Sequence, residues 1–323
     1  MKEQNETMDL TPFAEKVNQM KIAIGSIIVG QERAVDLILS AILARGHVLI
    51  EGVPGVAKTL LAKMIARLIN ADFSRIQFTP DLMPSDVLGT SVFDMKTSEF
   101  RFHPGPVFAD IVLIDEVNRA PAKTQSALFE VMEERQATID GALHKMSPVY
   151  TILATQNPVE QEGTYKLPEA QLDRFMMKIA IPYPSLDEEI EILERHNRNA
   201  RLAKAEDVKA VISREDLLQM FTYVENVFVE KSLLRYIASV IRQTRDSKAV
   251  YLGASPRASI ALLQSAKAMA LLQGREFVTP EDIKIVAPFV LQHRLILTAE
   301  AEMEGLTPLK VVQRLIEKVE VPK

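Results

Sequence analysis

Cysteine is absent from this 323-residue chain, which removes disulfides, thiol nucleophiles and thiolate metal sites from consideration. The five histidines are scattered, without HExxH or similar spacing, so no transition-metal centre is expected. No apolar run approaches the roughly 20 residues of a membrane-spanning helix. The opening stretch MKEQNETMDLTPFAEKVNQM lacks the basic start and apolar segment of a secretory leader. Low-complexity tracts and internal repeats are missing too. Nor is there an excess of positive charge: 38 Lys and Arg against 43 Asp and Glu leave a net −5. That balance argues against a protein that coats nucleic acid, although a local basic stripe would escape the count. Together these absences lead to the expectation of a soluble, cytoplasmic protein with no membrane insertion.

Hydrophobic residues make up 47% and charged residues 25%, enough for one or two domains with a substantial core. Five apolar runs read as buried strands: HVLIEG (47–52), FSRIQFT (73–79), IVLIDE (111–116), YTILATQNP (150–158) and FMMKIAIPY (175–183). Helix-like segments such as TLLAKMIARLIN (59–70) and KTQSALFEVMEER (123–135) lie between most of them. The alternation predicts an α/β fold with a doubly wound parallel sheet. After Pro184 nearly everything has helical period. The expected division is an α/β domain over 1–184, with N-terminal helices in 10–45, and a helical domain over 185–323.

The stretch GVPGVAKT (52–59) follows an apolar run and opens an amphipathic helix, the context of a phosphate-binding loop. Successive backbone N–H groups there would point at an anion, aided by the helix N-terminus. Lys58 would neutralise the β and γ phosphates of ATP, and the Thr59 hydroxyl would ligate Mg²⁺. The loop deviates at Ala57, where the usual pattern has glycine. A methyl group is permissible there if Ala57 already has helical φ/ψ. The alternative is an ordinary glycine-containing strand-to-helix turn. About sixty residues on, IVLIDE ends a buried strand with Asp115 and Glu116. The first would hold the metal's water shell and the second would deprotonate an attacking water. Two solvated acids at a strand end would look the same in isolation; both motifs in order favour the phosphate site.

Three further residues fit the pattern. Asn157, at the tip of ATQNP, would hold the attacking water or the γ-phosphate, or else simply form a turn before Pro158. Arg174, in LPEAQLDRF, has a surface ion pair as its plain alternative. In GASPRAS, Ser255 is a candidate N-cap with Pro256 at the first helical position. Arg257 then lies in a first turn, where a cation is disfavoured unless it reaches an anion such as a nucleotide phosphate across the domain gap. Two stretches, 95–108 and 135–147, read as β-hairpins; the second has Asp140-Gly141 between β-prone arms.

In combination, GVPGVAKT, LIDEVNRAPAKTQSALFEVMEE, ATQNPVEQEGTYKLPEAQLDRF and GASPRAS resemble motifs of the MoxR family of AAA+ ATPases, and the resemblance spans nearly the whole chain. It implies a P-loop AAA+ core with a C-terminal helical lid, and an Mg²⁺-dependent ATPase. Nucleotide contacts would come from Gln31 near the adenine and from Gly52, Val53, Pro54, Gly55, Val56, Ala57, Lys58, Thr59 and Leu60. Thr59 and Asp115 would be metal residues and Glu116 the catalytic acid. Asn157 would be the sensor-1 residue, Arg174 the arginine finger of a neighbouring site, and Arg257 the sensor-2 arginine, in cis or in trans. The resemblance further implies a homo-oligomeric ring, often hexameric, that remodels or activates partner proteins, often with von Willebrand factor A domains. Such a domain is not present here and would belong to a separate chain. The hairpins would face the ring's opening, as structural elements or as partner contacts. A helicase-type nucleic-acid motor is the alternative, with Phe100, Arg101 and Phe102 available for base stacking. A non-catalytic nucleotide switch fits less well, given the intact acidic pair and both arginines.

Overall fold

All five apolar runs become strands of one sheet. The computed structural model describes residues 10–157, 165, 167–197 and 205–322. In chain order it begins with α1 (Thr11–Gly25), α2 (Glu32–Leu43), β1 (Val48–Gly52), α3 (Lys58–Leu68), β2 (Phe73–Gln77) and α4 (Pro84–Leu88). Then come β3 (Gly89–Asp94), β4 (Glu99–Pro104), β5 (Ile111–Asp115), α5 (Ala122–Glu134), β6 (Gln136–Ile139) and β7 (Ala142–Lys145). The sheet closes with β8 (Thr151–Gln156), a short α6 (Glu169–Leu172) and β9 (Met177–Ile181). Its order is β2-β5-β8-β1-β9, with every pairing parallel.

Strand alternation divides the core. Ile111 and Leu113 of β5 join Val48, Ile50 and Leu153 on one face, with Ile38 of α2 and Ile65 of α3. Val112 and Ile114 join Leu49, Ile152 and Ala154 on the other, with Leu128 and Met132 of α5. Because helices cover both faces, the central strands β5 and β8 are buried along nearly their whole length rather than alternating, whereas the edge strand β2 exposes Arg75 and Gln77. The loops after β1, β5 and β8 leave the sheet at one edge, where open α/β sheets bind ligands.

From residue 186 the chain is α7 (Leu186–Asn197), α8 (Arg214–Asn226), α9 (Lys231–Asp246), β10 (Val250–Leu252), α10 (Pro256–Leu272) and α11 (Pro280–Leu291). It ends in β11 (Ile296–Leu297), α12 (Ala299–Met303) and α13 (Pro308–Lys318). The helical part therefore also carries a two-stranded antiparallel piece, β10–β11. Sheet gives way to helices between Ile181 and Leu186, but the core does not divide there. Leu262, Ile283, Val286 and Val312 belong to the same cluster as Val48 and Ile65. No helix among the described residues is long and apolar enough to cross a membrane.

The hairpin expected over 95–108 is displaced upstream. Its arms are β3 and β4, paired from Gly89↔Pro104 to Asp94↔Glu99, with 95–98 as the turn and Pro106–Phe108 in a 3₁₀ turn. GTSVFD, with its Gly and Ser, carries too weak a strand signal to reveal the first arm. The second hairpin, β6–β7, turns at Asp140 (φ 50°) and Gly141 (φ 79°), the left-handed pair of a two-residue turn. Phe102 stacks on His144 with ring centroids 4.0 Å apart, tying the two hairpins together.

Candidate active site

The loop between β1 and α3 turns on two left-handed residues, Gly55 (φ 88°) and Ala57 (φ 58°, ψ 22°). Ala57 therefore does not meet the condition, helical φ/ψ, under which its methyl group would be accommodated without strain. The residue before Lys58 must reverse the chain into α3, and a left-handed alanine costs about 1–2 kcal/mol that glycine would not. Strain of this kind persists where surrounding contacts over-determine the backbone, as at ligand sites. Gly52 is required for a different reason: a Cβ there would meet the Ile181 carbonyl oxygen at 2.9 Å.

Lys58 opens α3 and folds back, its Nζ donating to the carbonyls of Gly52 and Val53, both at 2.7 Å. Burial pulls its pKa below the usual lysine value, opposed by the charges of Asp115 and Glu116. The loop separates two clefts. One, of about 420 Å³, is lined by Lys58, Thr59, Asp115, Glu116 and Asn157, together with Pro54. The other, of about 580 Å³, is lined by Gln31, Ile181, Tyr183 and Phe289, among others. Gly55, Val56, Ala57 and Leu60 line both. Gln31 donates to the Val56 carbonyl at 2.8 Å, while its buried Oε1 has no partner among the described residues.

Asp115 ends β5 almost fully buried, and Thr155 of β8 donates its hydroxyl to Oδ1 at 3.1 Å. The next residue, Glu116, is also left-handed (φ 59°). Its N–H donates to Thr155 Oγ1 at 3.0 Å, and Val117 N–H to the Thr155 carbonyl at 3.0 Å. These bonds hold the turn that brings the second carboxylate into the cleft. Glu116 Oε2 accepts from Gln77 at 2.7 Å and lies 3.1 Å from Arg119 Nε. Arg75 reaches Asp115 from β2 at 2.6 Å. Thr155, Gln77 and Arg75 were not singled out in the sequence. The only available signal was the spacing of two polar residues, Arg75 and Gln77, on one face of an otherwise apolar run. Thr59 and Asp115 offer a hydroxyl and one carboxylate. That set suits Mg²⁺, which takes few protein ligands and completes its shell with phosphate oxygens and water.

Neither Arg174 nor Arg257 lines the phosphate cleft. Arg174 donates to the Phe129 carbonyl at 2.6 Å and lies 3.4 Å from Glu133 Oε2. Arg257 makes a two-pronged contact with the same Glu133, at 2.5 and 3.2 Å. The anion it reaches across the gap is therefore a carboxylate of α5. Ser255 does cap α10 by position, but its hydroxyl donates to Asp173 at 3.0 Å rather than accepting from the helix. Part of the stretch that follows Asn157 (158–164 and 166) lies outside the described residues.

Residues 47–177 match the family described as ATPase family associated with various cellular activities (AAA), and residues 242–317 match the AAA lid domain. The chain is 47% identical to the uncharacterized protein YeaC of Bacillus subtilis, covering 97% of this chain and 96% of that one. It is 45% identical to Chaperone MoxR1 of Mycobacterium tuberculosis, covering 92% and 80%, and 31% identical to Protein MoxR of Methylorubrum extorquens, covering 91% of each. A crystal structure of a Cytophaga hutchinsonii protein superposes with a TM-score of 0.89 at 41% identity, covering 98% of this chain and 97% of that one.

Proposed function

Because the chain belongs to the MoxR family of AAA+ ATPases, we propose that it binds ATP with Mg²⁺ across its two clefts and uses hydrolysis to remodel or activate partner proteins. The observation that carries this reading is the meeting of Lys58 and Thr59 with Asp115 and Glu116 in one cleft, which shares Gly55, Val56, Ala57 and Leu60 with an apolar cleft large enough for a base. The adenine would occupy the cleft beside Gln31 and Phe289, and the triphosphate would lie along 52–59. Lys58 Nζ, held here by the carbonyls of Gly52 and Val53, would turn onto the β and γ phosphates. Thr59 and Asp115 would hold the metal, which when bound neutralises phosphate charge. Glu116 would take a proton from the attacking water, with Asn157 placing that water.

Both arginines lie off this cleft and on one carboxylate. An arginine that stabilises the γ-phosphoryl from there serves a neighbour's site, so Arg174 and Arg257 would act together in trans in a ring, which we take to be hexameric. The partner surface we assign is the hairpin pair. Phe93 and Phe100 are in edge contact at its exposed tip beside the 87%-exposed Met95. Of the trio considered for base stacking, Phe102 is stacked on His144 and Arg101 is paired with Asp94, so the nucleic-acid alternative gains nothing here. Partners with von Willebrand factor A domains remain the chemistry-neutral expectation of the family. Fluorescent-nucleotide binding and phosphate release by the full chain test the reading; failure to bind ATP with Mg²⁺ would end it.

A further inference from the structure

A nearly buried carboxylate at a metal site must be neutralised when the metal is away. Here the counter-ion is at hand: Arg75 Nε donates to Asp115 Oδ2 at 2.6 Å, while Thr155 occupies Oδ1. Arg75 projects from β2, the edge strand of the sheet, and lines the phosphate cleft. Its side chain is 53% exposed, against 9% for Asp115. The guanidinium can therefore swing into water without opening the core, whereas the carboxylate stays where it is. Two residues along the same face, Gln77 holds Glu116. One edge strand thus restrains both acids of the cleft.

We propose that Arg75 is a positioning residue that exchanges with the divalent cation on Asp115. It holds the carboxylate oriented while the site is empty, and gives up Oδ2 when metal arrives with nucleotide. A guanidinium and a divalent cation repel each other and cannot share that oxygen. Metal alone should then bind poorly, and productive binding should wait for the phosphates, whose charge offsets the loss of the pair. The assignment rests on the phosphate-site reading above, but it concerns metal affinity in the absence of nucleotide.

The test is binding of Mn²⁺ alone, followed by electron paramagnetic resonance, to the full-length wild type, Arg75→Ala, Arg75→Lys and Asp115→Asn. Arg75→Ala should bind Mn²⁺ at least about fivefold more tightly than wild type, because a cation in contact with the metal's ligand is gone. Arg75→Lys should fall between them, and Asp115→Asn should abolish the site. Unchanged or weaker Mn²⁺ binding by Arg75→Ala overturns the proposal, as does a selective loss of ATP over ADP affinity without a change in metal dependence. Should Arg75→Ala aggregate, Arg75→Gln carries the same comparison. Tighter Mn²⁺ binding in a chain that binds no nucleotide would support the exchange while removing the ATPase reading.

Discussion

Arg174 and Arg257, 83 residues apart in sequence, meet on the carboxylate of Glu133, at 3.4 and 2.5 Å respectively. Two cations thus share one acid at the end of α5, on a part of the surface that is not the chain's own phosphate cleft.

If those cations serve a neighbour, Arg174→Ala should bind ATP normally yet hydrolyse it roughly 10³-fold more slowly. Mixing it with Lys58→Ala should restore activity, since a Lys58→Ala subunit still donates its arginines to an intact adjoining cleft. Specific activity of the wild type should also rise with protein concentration. Activity independent of concentration, with no rescue on mixing, would mean that each chain completes its own site.

Lys58→Ala should lose nucleotide binding, because no other lysine among the described residues lines the phosphate cleft. Glu116→Gln should keep binding and lose hydrolysis by about 10²-fold or more, the usual effect of removing a general base. Equilibrium binding and phosphate release separate the two. Near-normal turnover by Glu116→Gln would place the base elsewhere.

Ala57→Gly should stabilise the chain. Relief of the left-handed alanine is worth about 1–2 kcal/mol, and the greater freedom of glycine in the unfolded state takes back about 0.4–1 kcal/mol. Denaturant unfolding should show a net gain of roughly 0.5–1 kcal/mol, with nucleotide affinity retained. A loss of stability would show that the methyl group makes contacts that outweigh the strain.

Acid should weaken the fold through His47. It is fully buried, with Ile152 N–H donating to Nδ1 and Nε2 donating to the Met132 carbonyl, so the neutral ring satisfies both. Burial, followed by the nearby Arg135, pulls its pKa down from 6.5 to about 3. The unfolded chain therefore binds a proton that the folded one refuses throughout that interval. Stability from this group is complete above pH 6.5 and falls as pH drops towards 3, by up to about 1.4 kcal/mol per unit. Urea unfolding at pH 7, 6 and 5 should show this slope, reduced by about one proton in His47→Gln. An identical slope in the variant would clear His47 of the effect.

The sheet was legible because its strands are buried on both faces. Ile111–Ile114 must then be apolar without a break, and the same is true of Val48–Ile50 and Ile152–Ala154. The phosphate loop was legible because it is local: eight consecutive residues carry the strand end, the turn and the helix start. Even there, the left-handed state of Ala57 did not show, since backbone angles at one residue depend on how the flanking elements are fixed.

What the sequence determined alone were the elements and the chemistry they carry: five strands, the loop with Lys58 and Thr59, the acidic pair, and two arginines with an odd placement. Tertiary structure decided the pairings. Parallel strand order brings Gln77 beside Asp115 and Thr155 beneath both acids. Packing of the helical part onto one sheet face sets Arg257 against Glu133, 124 residues away. Such contacts arise from chain segments meeting across long loops, and no local pattern of residues encodes which partner a side chain will find.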